Sequence, residues 1–235
     1  MKYFISILAC LAMASCGGGG GDSEQTKAAC SIIGLNTKII GGEACSDLDR
    51  ASIVRIMALV EVDNDLYPVP VCTGTMVTSD TVLTAQHCLI TDFAGYPVRN
   101  LGIYSGEPGS GNLIAASLYL RAPGYRYEAS VGRIFNDAAL IKLRESSNLP
   151  SIPILLSRSV DIGETGYVYG YGATAENQDP NDVTFFDLEA GTMNIQNVTP
   201  NHIFVAFDGG SVNVCNGDSG GPLIVLVDGE PAIAG

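Results

Sequence analysis

The chain is built largely from short stretches that are rich in β-branched and aromatic residues, and Gly, Pro, Asn and Asp separate them. No long segment has the apolar spacing of an amphipathic helix, and the sequence shows no internal repeat. Closely spaced short strands of this kind predict an all-β barrel or sandwich. Residues 78–80, TSD, lie between two of the stretches and predict a tight turn. The stretches are SIVRIMALVEV, VCTGTMV, TVLTA, AALIKL, YVYGYG, HIFVAF and GPLIVLV.

Size and charge limit the class of protein. The 235 residues, of which 46% are hydrophobic, suffice for one sizeable core or for two small cores packed together. Twelve Lys and Arg residues stand against 25 Asp and Glu residues, so the formal net charge is −13. A strongly acidic chain repels phosphate backbones, and we therefore exclude nucleic acid as a partner.

The first sixteen residues, MKYFISILACLAMASC, have the layout of a secretory signal peptide, with Lys2, an apolar run too short to span a bilayer, and small residues. They also resemble a bacterial lipoprotein signal in which Cys16 becomes the lipidated N-terminus; Cys10 has too little chain before it. An ordinary cleaved signal peptide is the alternative. Residues 17–38 are predicted to be a Gly-rich linker and pro-segment, with linker character over 17–29. We expect an exported protein, either lipid-anchored in a bacterial cell envelope or secreted.

The seven cysteines are scattered, and none forms a CxxC pair. This spacing is not that of a zinc ribbon or a thioredoxin motif, and we expect no metal or cofactor. In an exported chain, scattered cysteines predict disulfides. They stand at positions 10, 16, 30, 45, 72, 88 and 215.

Acyl transfer by a serine requires a base, a carboxylate that orients the base, and donors for the oxyanion. The sequence contains only two histidines that could be the base. His87 ends a β-like stretch in VLTAQHC, whereas His202 in TPNHIFV has no supporting pattern and is expected to be structural or solvated. His87 is therefore the candidate base.

Three segments, VLTAQHC, NDAALIKL and CNGDSGGP, resemble the signature segments of the trypsin/chymotrypsin-like serine proteases and occur in that family's order. A fourth, KIIGGEAC, resembles the family's zymogen cleavage site. The resemblance extends over residues 39–235 and implies two packed antiparallel β-barrels of the chymotrypsin-like type. It also implies a serine endopeptidase that cleaves protein or peptide substrates through an acyl-enzyme.

By this resemblance, Ser219 is the nucleophile, His87 is the general base and Asp137 is the carboxylate that orients the imidazole. Asp92, the other nearby carboxylate, lies outside the DAALIKL pattern. The backbone N–H groups of Gly217 and Ser219 match the oxyanion hole, where glycines let a turn aim its N–H groups at one point. A glycine-rich turn with an ordinary serine is the alternative interpretation.

The resemblance also implies activation by another protease, which would cleave after Lys38. The new ammonium group of Ile39 would then pair with Asp218 and shape the oxyanion hole. The alternative is that KIIGG simply begins a strand.

Four cysteines are candidates for disulfides in the folded domain. Cys72 and Cys88 match the family's disulfide beside the catalytic histidine. Cys30 and Cys45 flank the activation site, and parity alone suggests that they join the pro-segment to the body.

The sequence departs from the family pattern at several positions. Gln86 stands where the family usually has Ala, Thr73 stands where it usually has Gly, and the chain has no Trp. Asn213 matches the bottom of the primary specificity pocket, and its uncharged side chain predicts a preference for neutral substrate residues.

The family's domain continues beyond the position matched by Gly235, so we expect an incomplete second barrel and no partner for Cys215. Two functions fit these observations: a protease, and a non-catalytic anchored homologue that binds peptides or proteins. The complete triad favours the protease, because a binding protein does not need all three residues. A structural surface lipoprotein would leave the four motifs unexplained.

Overall fold

A computed structural model describes residues 23–37, 44–107, 109–172, 187–206 and 217–235. Over these residues the chain is almost entirely antiparallel β-structure, with one α-helix, α1 (Ser23–Ile32), and two 3-10 turns, Leu48–Arg50 and Gln86–Cys88. The strands are β1 (Asn36–Thr37), β2 (Ala44–Ser46), β3 (Ile53–Val62), β4 (Asp65–Thr78), β5 (Thr81–Thr84), β6 (Asp92–Phe93), β7 (Tyr96–Ser105), β8 (Asn112–Arg121), β9 (Arg126–Glu128), β10 (Arg133–Phe135), β11 (Ala139–Leu143), β12 (Thr165–Gly170), β13 (Leu188–Val198), β14 (Ile203–Ala206), β15 (Leu223–Val227) and β16 (Glu230–Ile233).

The first sheet is a closed barrel of six strands in the order β3-β4-β5-β11-β8-β7, and it closes where β3 pairs with β7. Residue Ile56 shows the closure, since it lies opposite Cys72 on one side and Ile103 on the other. Alternate residues of β3 enter different cores, because successive side chains point to opposite faces of a strand. Val54 belongs to the core inside this barrel, and Ile53 belongs to the core of the second sheet.

The second sheet follows the order β1-β2-β13-β12-β15-β16, with β14 added beside β13. It curls around its own apolar core as a half-barrel. The fold is therefore the all-β, two-barrel architecture that the sequence predicts, with an open second sheet. This second core contains Leu35, Leu48, Tyr169, Leu188, Ile224 and Ile233.

Helix α1 lies in a segment for which the sequence predicts a linker, and this prediction is wrong from Ser23 onward. Ala29 and Cys30 are fully buried at the second core, and Cys30 forms a disulfide with Cys45. The Tyr169 hydroxyl donates a hydrogen bond of 2.8 Å to the Ala29 carbonyl. The glycine-rich, polar composition does not reveal these long-range contacts, which hold the helix on the domain.

The seven predicted β-like stretches all contain strands, and the turn at residues 78–80 joins β4 to β5. A second disulfide joins Cys72 to Cys88, as the family resemblance implies. Within the described ranges, no helix has the length and apolar character needed to cross a membrane.

Candidate active site

Two neighbouring strands of the first barrel bring His87 and Asp137 together. β5 pairs antiparallel with β11, and Thr84 at the end of β5 lies opposite Ala139 at the start of β11. His87 follows β5 in a 3-10 turn, and Asp137 precedes β11 by two residues. Antiparallel pairing therefore places residues 50 positions apart at the same end of the barrel.

The carboxylate of Asp137 receives two hydrogen bonds from His87. Its Oδ2 lies 2.6 Å from the imidazole Nδ1, and its Oδ1 accepts the His87 backbone N–H at 2.9 Å. Burial alone would raise the pKa of Asp137, but the hydrogen bonds from the side chain and backbone of His87 hold that pKa below its usual value. The carboxylate is thus ionised at neutral pH and fixes the imidazole ring, leaving Nε2 available to act as a base.

A disulfide connects the histidine turn to the strand that contacts Ser219. Cys88 follows His87, and its disulfide partner Cys72 lies on β4. The Cys88 sulfur is 3.6 Å from the Ser219 carbonyl oxygen. Ligand atoms of Cys72, His87 and Cys88 lie within 4.8 Å of one another, but both sulfurs are used in the disulfide and cannot act as thiolate metal ligands.

Ser219 lies in a tight turn, residues 217–221, just before β15 of the second sheet. Its carbonyl accepts a hydrogen bond of 2.9 Å from the Thr73 N–H, and Gly221 N–H donates 2.8 Å to the Asp218 carbonyl. The turn requires glycine at position 220, where φ is +80° and a Cβ atom would lie 2.5 Å from the Thr73 carbonyl oxygen. The serine is therefore held closely against β4 of the first barrel.

Asp218 is held by the segment that follows β12. β12 pairs antiparallel with β15, so the residues after β12 lie beside the turn that precedes β15. The Asp218 Oδ1 accepts a hydrogen bond of 2.8 Å from the Gly172 N–H. A Cβ atom at Gly170 would lie 1.9 Å from the same oxygen, so only glycine leaves room for the carboxylate there.

The predicted oxyanion donors are the backbone N–H groups of Gly217 and Ser219. Neither the Gly217 N–H nor the Ser219 N–H donates a backbone hydrogen bond to any other residue in the described ranges. Gly217 has φ of +101°, a left-handed conformation that favours glycine. No hydrogen bond joins the Ser219 hydroxyl to His87 in this structure; catalytic hydrogen bonds of unliganded enzymes are often long and shorten when substrate binds.

Several predicted residues lie outside the described ranges: Cys16, Lys38, Ile39, Asn213 and Cys215. Of the residues set aside in the sequence, His202 has a structural environment, with Nε2 2.9 Å from the Ile134 carbonyl oxygen and the ring of Phe135 packed edge-on. Asp92 lies on β6 and accepts a hydrogen bond from the Gly95 N–H in a surface turn.

The sequence does not predict that Arg55 packs beside the segment that contacts Asp218, although a basic residue within an apolar strand is a visible signal. Its side chain is fully buried, donates to the Gly106 carbonyl at 3.1 Å and lies 4.6 Å from the ring centroid of Tyr171. Tyr171 in turn precedes Gly172, which contacts Asp218. Burial lowers the pKa of Arg55, while the neighbouring Tyr171, Tyr104 and acidic residues act in the opposite direction.

A closed antiparallel barrel beside a curled second sheet, with a histidine–aspartate pair on the first and a GDSGG turn on the second, is the architecture of the chymotrypsin-like serine proteases. The Trypsin family model matches residues 39–233. The chain belongs to the trypsin family.

Known proteins resemble the chain over most of its length. Kallikrein-4 of Homo sapiens is 31% identical over 207 residues, which cover 82% of this chain and 74% of the kallikrein. Trypsin I-P1 of Gallus gallus is 28% identical over 201 residues, covering 80% and 74% of the two chains. The structure of neuropsin, a serine protease expressed in the limbic system of mouse brain, has a TM-score of 0.58 at 18% identity and covers 80% of this chain and 82% of its own. This structural likeness concerns the fold.

Proposed function

We propose that this protein is a serine endopeptidase. In the first step the Ser219 hydroxyl oxygen attacks the substrate carbonyl carbon while His87 accepts the hydroxyl proton. The tetrahedral intermediate then breaks its C–N bond, and the imidazolium returns that proton to the leaving amine. An acyl-enzyme ester remains. Water hydrolyses the ester with His87 again acting as base, which frees the carboxylic acid and regenerates Ser219.

The observation that carries this proposal is the 2.6 Å contact between His87 Nδ1 and Asp137 Oδ2, beside the turn that contains Ser219. The carboxylate fixes the tautomer with the proton on Nδ1, so that Nε2 can accept the serine proton. It also stabilises the imidazolium that forms in each step. The N–H groups of Gly217 and Ser219, which donate no backbone hydrogen bond within the described ranges, suit the oxyanion of the tetrahedral intermediate.

We propose further that the protein is made as a zymogen and activated by cleavage after Lys38. The new ammonium group of Ile39 would pair with Asp218, whose carboxylate already accepts the Gly172 N–H. An activating protease that recognises Lys is required, because Asn213 does not select a basic residue.

The proposed substrates are proteins or peptides with a neutral side chain at the cleaved residue, since Asn213 brings no charge to the specificity pocket. We also propose that the protein is exported, because two disulfides are typical of oxidising compartments. Lipidation of Cys16 would then hold the protein at the bacterial cell envelope; if Cys16 is unmodified, the protein is secreted.

The test is hydrolysis of a peptide library after activation. Wild-type protein should cleave internal peptide bonds, and Ser219→Ala and Asp137→Asn should each reduce kcat by about a thousandfold or more. Asp92→Asn is the matched control, since Asp92 lies in a surface turn, and it should leave kcat unchanged. Failure of the activated wild type to cleave any peptide, with retained binding, would instead favour the non-catalytic binding homologue.

A further inference from the structure

Thr73 stands at a position where the family usually has glycine, and its side chain contacts the catalytic turn. The residue lies on β4 beside Cys72 and is fully buried. Its hydroxyl donates a hydrogen bond of 2.9 Å to the Gly217 carbonyl. The same oxygen accepts a hydrogen bond of 3.0 Å from the Tyr171 N–H.

The backbone of Thr73 contacts the other end of the turn. Its N–H donates to the Ser219 carbonyl at 2.9 Å, so one residue holds both carbonyl groups that flank Asp218. A glycine could make the backbone contact but not the two hydroxyl contacts. The Thr73 carbonyl is itself fixed by the Thr84 hydroxyl at 2.8 Å, which ties the residue to β5 and hence to the histidine turn.

The hydroxyl also joins the two segments that surround Asp218. Tyr171 N–H contacts the Thr73 hydroxyl, and the next residue, Gly172, donates its N–H to the Asp218 carboxylate. The Gly217 carbonyl belongs to the peptide group between Gly217 and Asp218, and the Ser219 carbonyl belongs to the peptide group that follows Ser219. Thr73 therefore holds the peptide groups on both sides of the Asp218–Ser219 peptide group, which carries the Ser219 N–H. The Ser219 N–H is one of the two predicted oxyanion donors.

We propose that Thr73 is a positioning residue for the oxyanion turn, and that its hydroxyl, by holding the Gly217 carbonyl, fixes the direction of the Ser219 N–H. This inference rests on the proposed function for its catalytic consequence, but the ordering of the turn can be measured without catalysis. Thr73 does not contact the substrate in this role. It acts through Gly217 and Asp218.

Thr73→Val removes the hydroxyl and keeps the branched shape, whereas Thr73→Ser keeps the hydroxyl. In the activated enzyme, Thr73→Val should reduce kcat roughly tenfold with little change in KM, because oxyanion contacts strengthen in the transition state. The effect is smaller than complete loss of a donor, since the Ser219 N–H is misdirected rather than removed. Thr73→Ser should restore kcat to within about twofold of wild type.

Thr75→Val is the matched control. Thr75 is also buried on β4, but its hydroxyl has no hydrogen-bond partner among the residues that the structure describes, so replacing it should leave kcat unchanged. Thermal unfolding of all three variants identifies any change in kcat that follows only from lost stability.

Hydrogen exchange, measured by mass spectrometry on the full chain, tests the positioning without catalysis. Thr73→Val should increase exchange in the peptide that spans residues 217–221, and Thr73→Ser and Thr75→Val should not. Unchanged exchange in Thr73→Val, or equal loss of kcat in Thr73→Val and Thr73→Ser, would overturn the proposal. If the wild type has no peptidase activity but the exchange pattern is as expected, the proposed function fails and the positioning of the turn by Thr73 stands.

Discussion

At the scale of single residues, the site depends on Asp137, a partly buried acid that receives two hydrogen bonds from His87. The backbone contact fixes the carboxylate relative to the turn, and the side-chain contact fixes the ring. Because both bonds favour the ionised carboxylate over the neutral acid, the same contacts that orient the imidazole also link the local stability of the site to pH.

We expect the Asp137–His87 contact to stabilise the protein above the ordinary aspartate pKa and to be lost in acid. The folded pKa of Asp137 is lowered, so, as the pH falls, the unfolded chain binds a proton at this residue at a higher pH than the folded chain does. The stabilisation is therefore complete above the ordinary value and disappears as pH falls through the lowered folded pKa. Thermal unfolding from pH 6 to pH 2 should show a smaller loss of Tm in Asp137→Asn than in wild type, and parallel curves would contradict the expectation.

At the scale of elements, the turn at residues 217–221 and the strands β4 and β5 form one closely packed unit. Gly220 is the clearest evidence, since a Cβ atom there would lie 2.2 Å from the Thr84 hydroxyl oxygen and 2.5 Å from the Thr73 carbonyl oxygen. The turn belongs to the second sheet and both strands belong to the first. This packing holds the turn that contains Ser219 against β4 and against Cys88, the residue after His87.

Gly220→Ala should destabilise the protein by about 2–3 kcal/mol, because it combines a strained φ of +80° with a steric clash against backbone. Its Tm should fall by several degrees, and serine-dependent activity should be lost. Gly229→Ala is the control, since Gly229 has a similar φ of +88° in the β15–β16 turn but open space around its Cα. Equal destabilisation by the two substitutions would show that strain alone, rather than packing against β4 and β5, explains the requirement for glycine.

A second prediction at this scale concerns helix α1 and the pro-segment that contains it. Cleavage after Lys38 should leave the pro-segment attached, because the Cys30–Cys45 disulfide crosses the cleavage site and Ala29 is buried at the second core. A denaturing gel of the activated protein should show one band without reductant and an additional short fragment with it. Release of the fragment without reductant would refute the attachment, and Cys30→Ser, which removes the bond, provides the reference for a released pro-segment.

At the scale of the whole molecule, seven of the sixteen strands in the described ranges and the order of the motifs could be predicted, because each is local in sequence. Within the stretch AALIKL, four of the five residues of β11 are apolar, whereas β13 contains Gly191 and five polar side chains and gives no such signal. The pairing of His87 with Asp137 required the family resemblance, since 50 residues separate them.

The contacts that sequence could not reveal are those between the two sheets. The Thr73 hydroxyl meets residues that lie 98 and 144 positions away, and the sequence shows only that the residue is not glycine. The Tyr171 hydroxyl likewise donates to the Ile53 carbonyl at 3.0 Å across the two barrels. Such contacts depend on how the closed barrel and the half-barrel pack, which no local pattern specifies.

The central claim is that Ser219 is a nucleophile activated by His87, and a serine-directed fluorophosphonate probe tests it most directly. After cleavage at Lys38, peptide mapping by mass spectrometry should find the phosphonyl adduct on Ser219. Labelling should fall by at least a hundredfold in His87→Ala, and the exposed-hairpin substitution Ser130→Ala should leave it unchanged. An adduct on another serine, or labelling of Ser219 that persists undiminished in His87→Ala, would contradict the account.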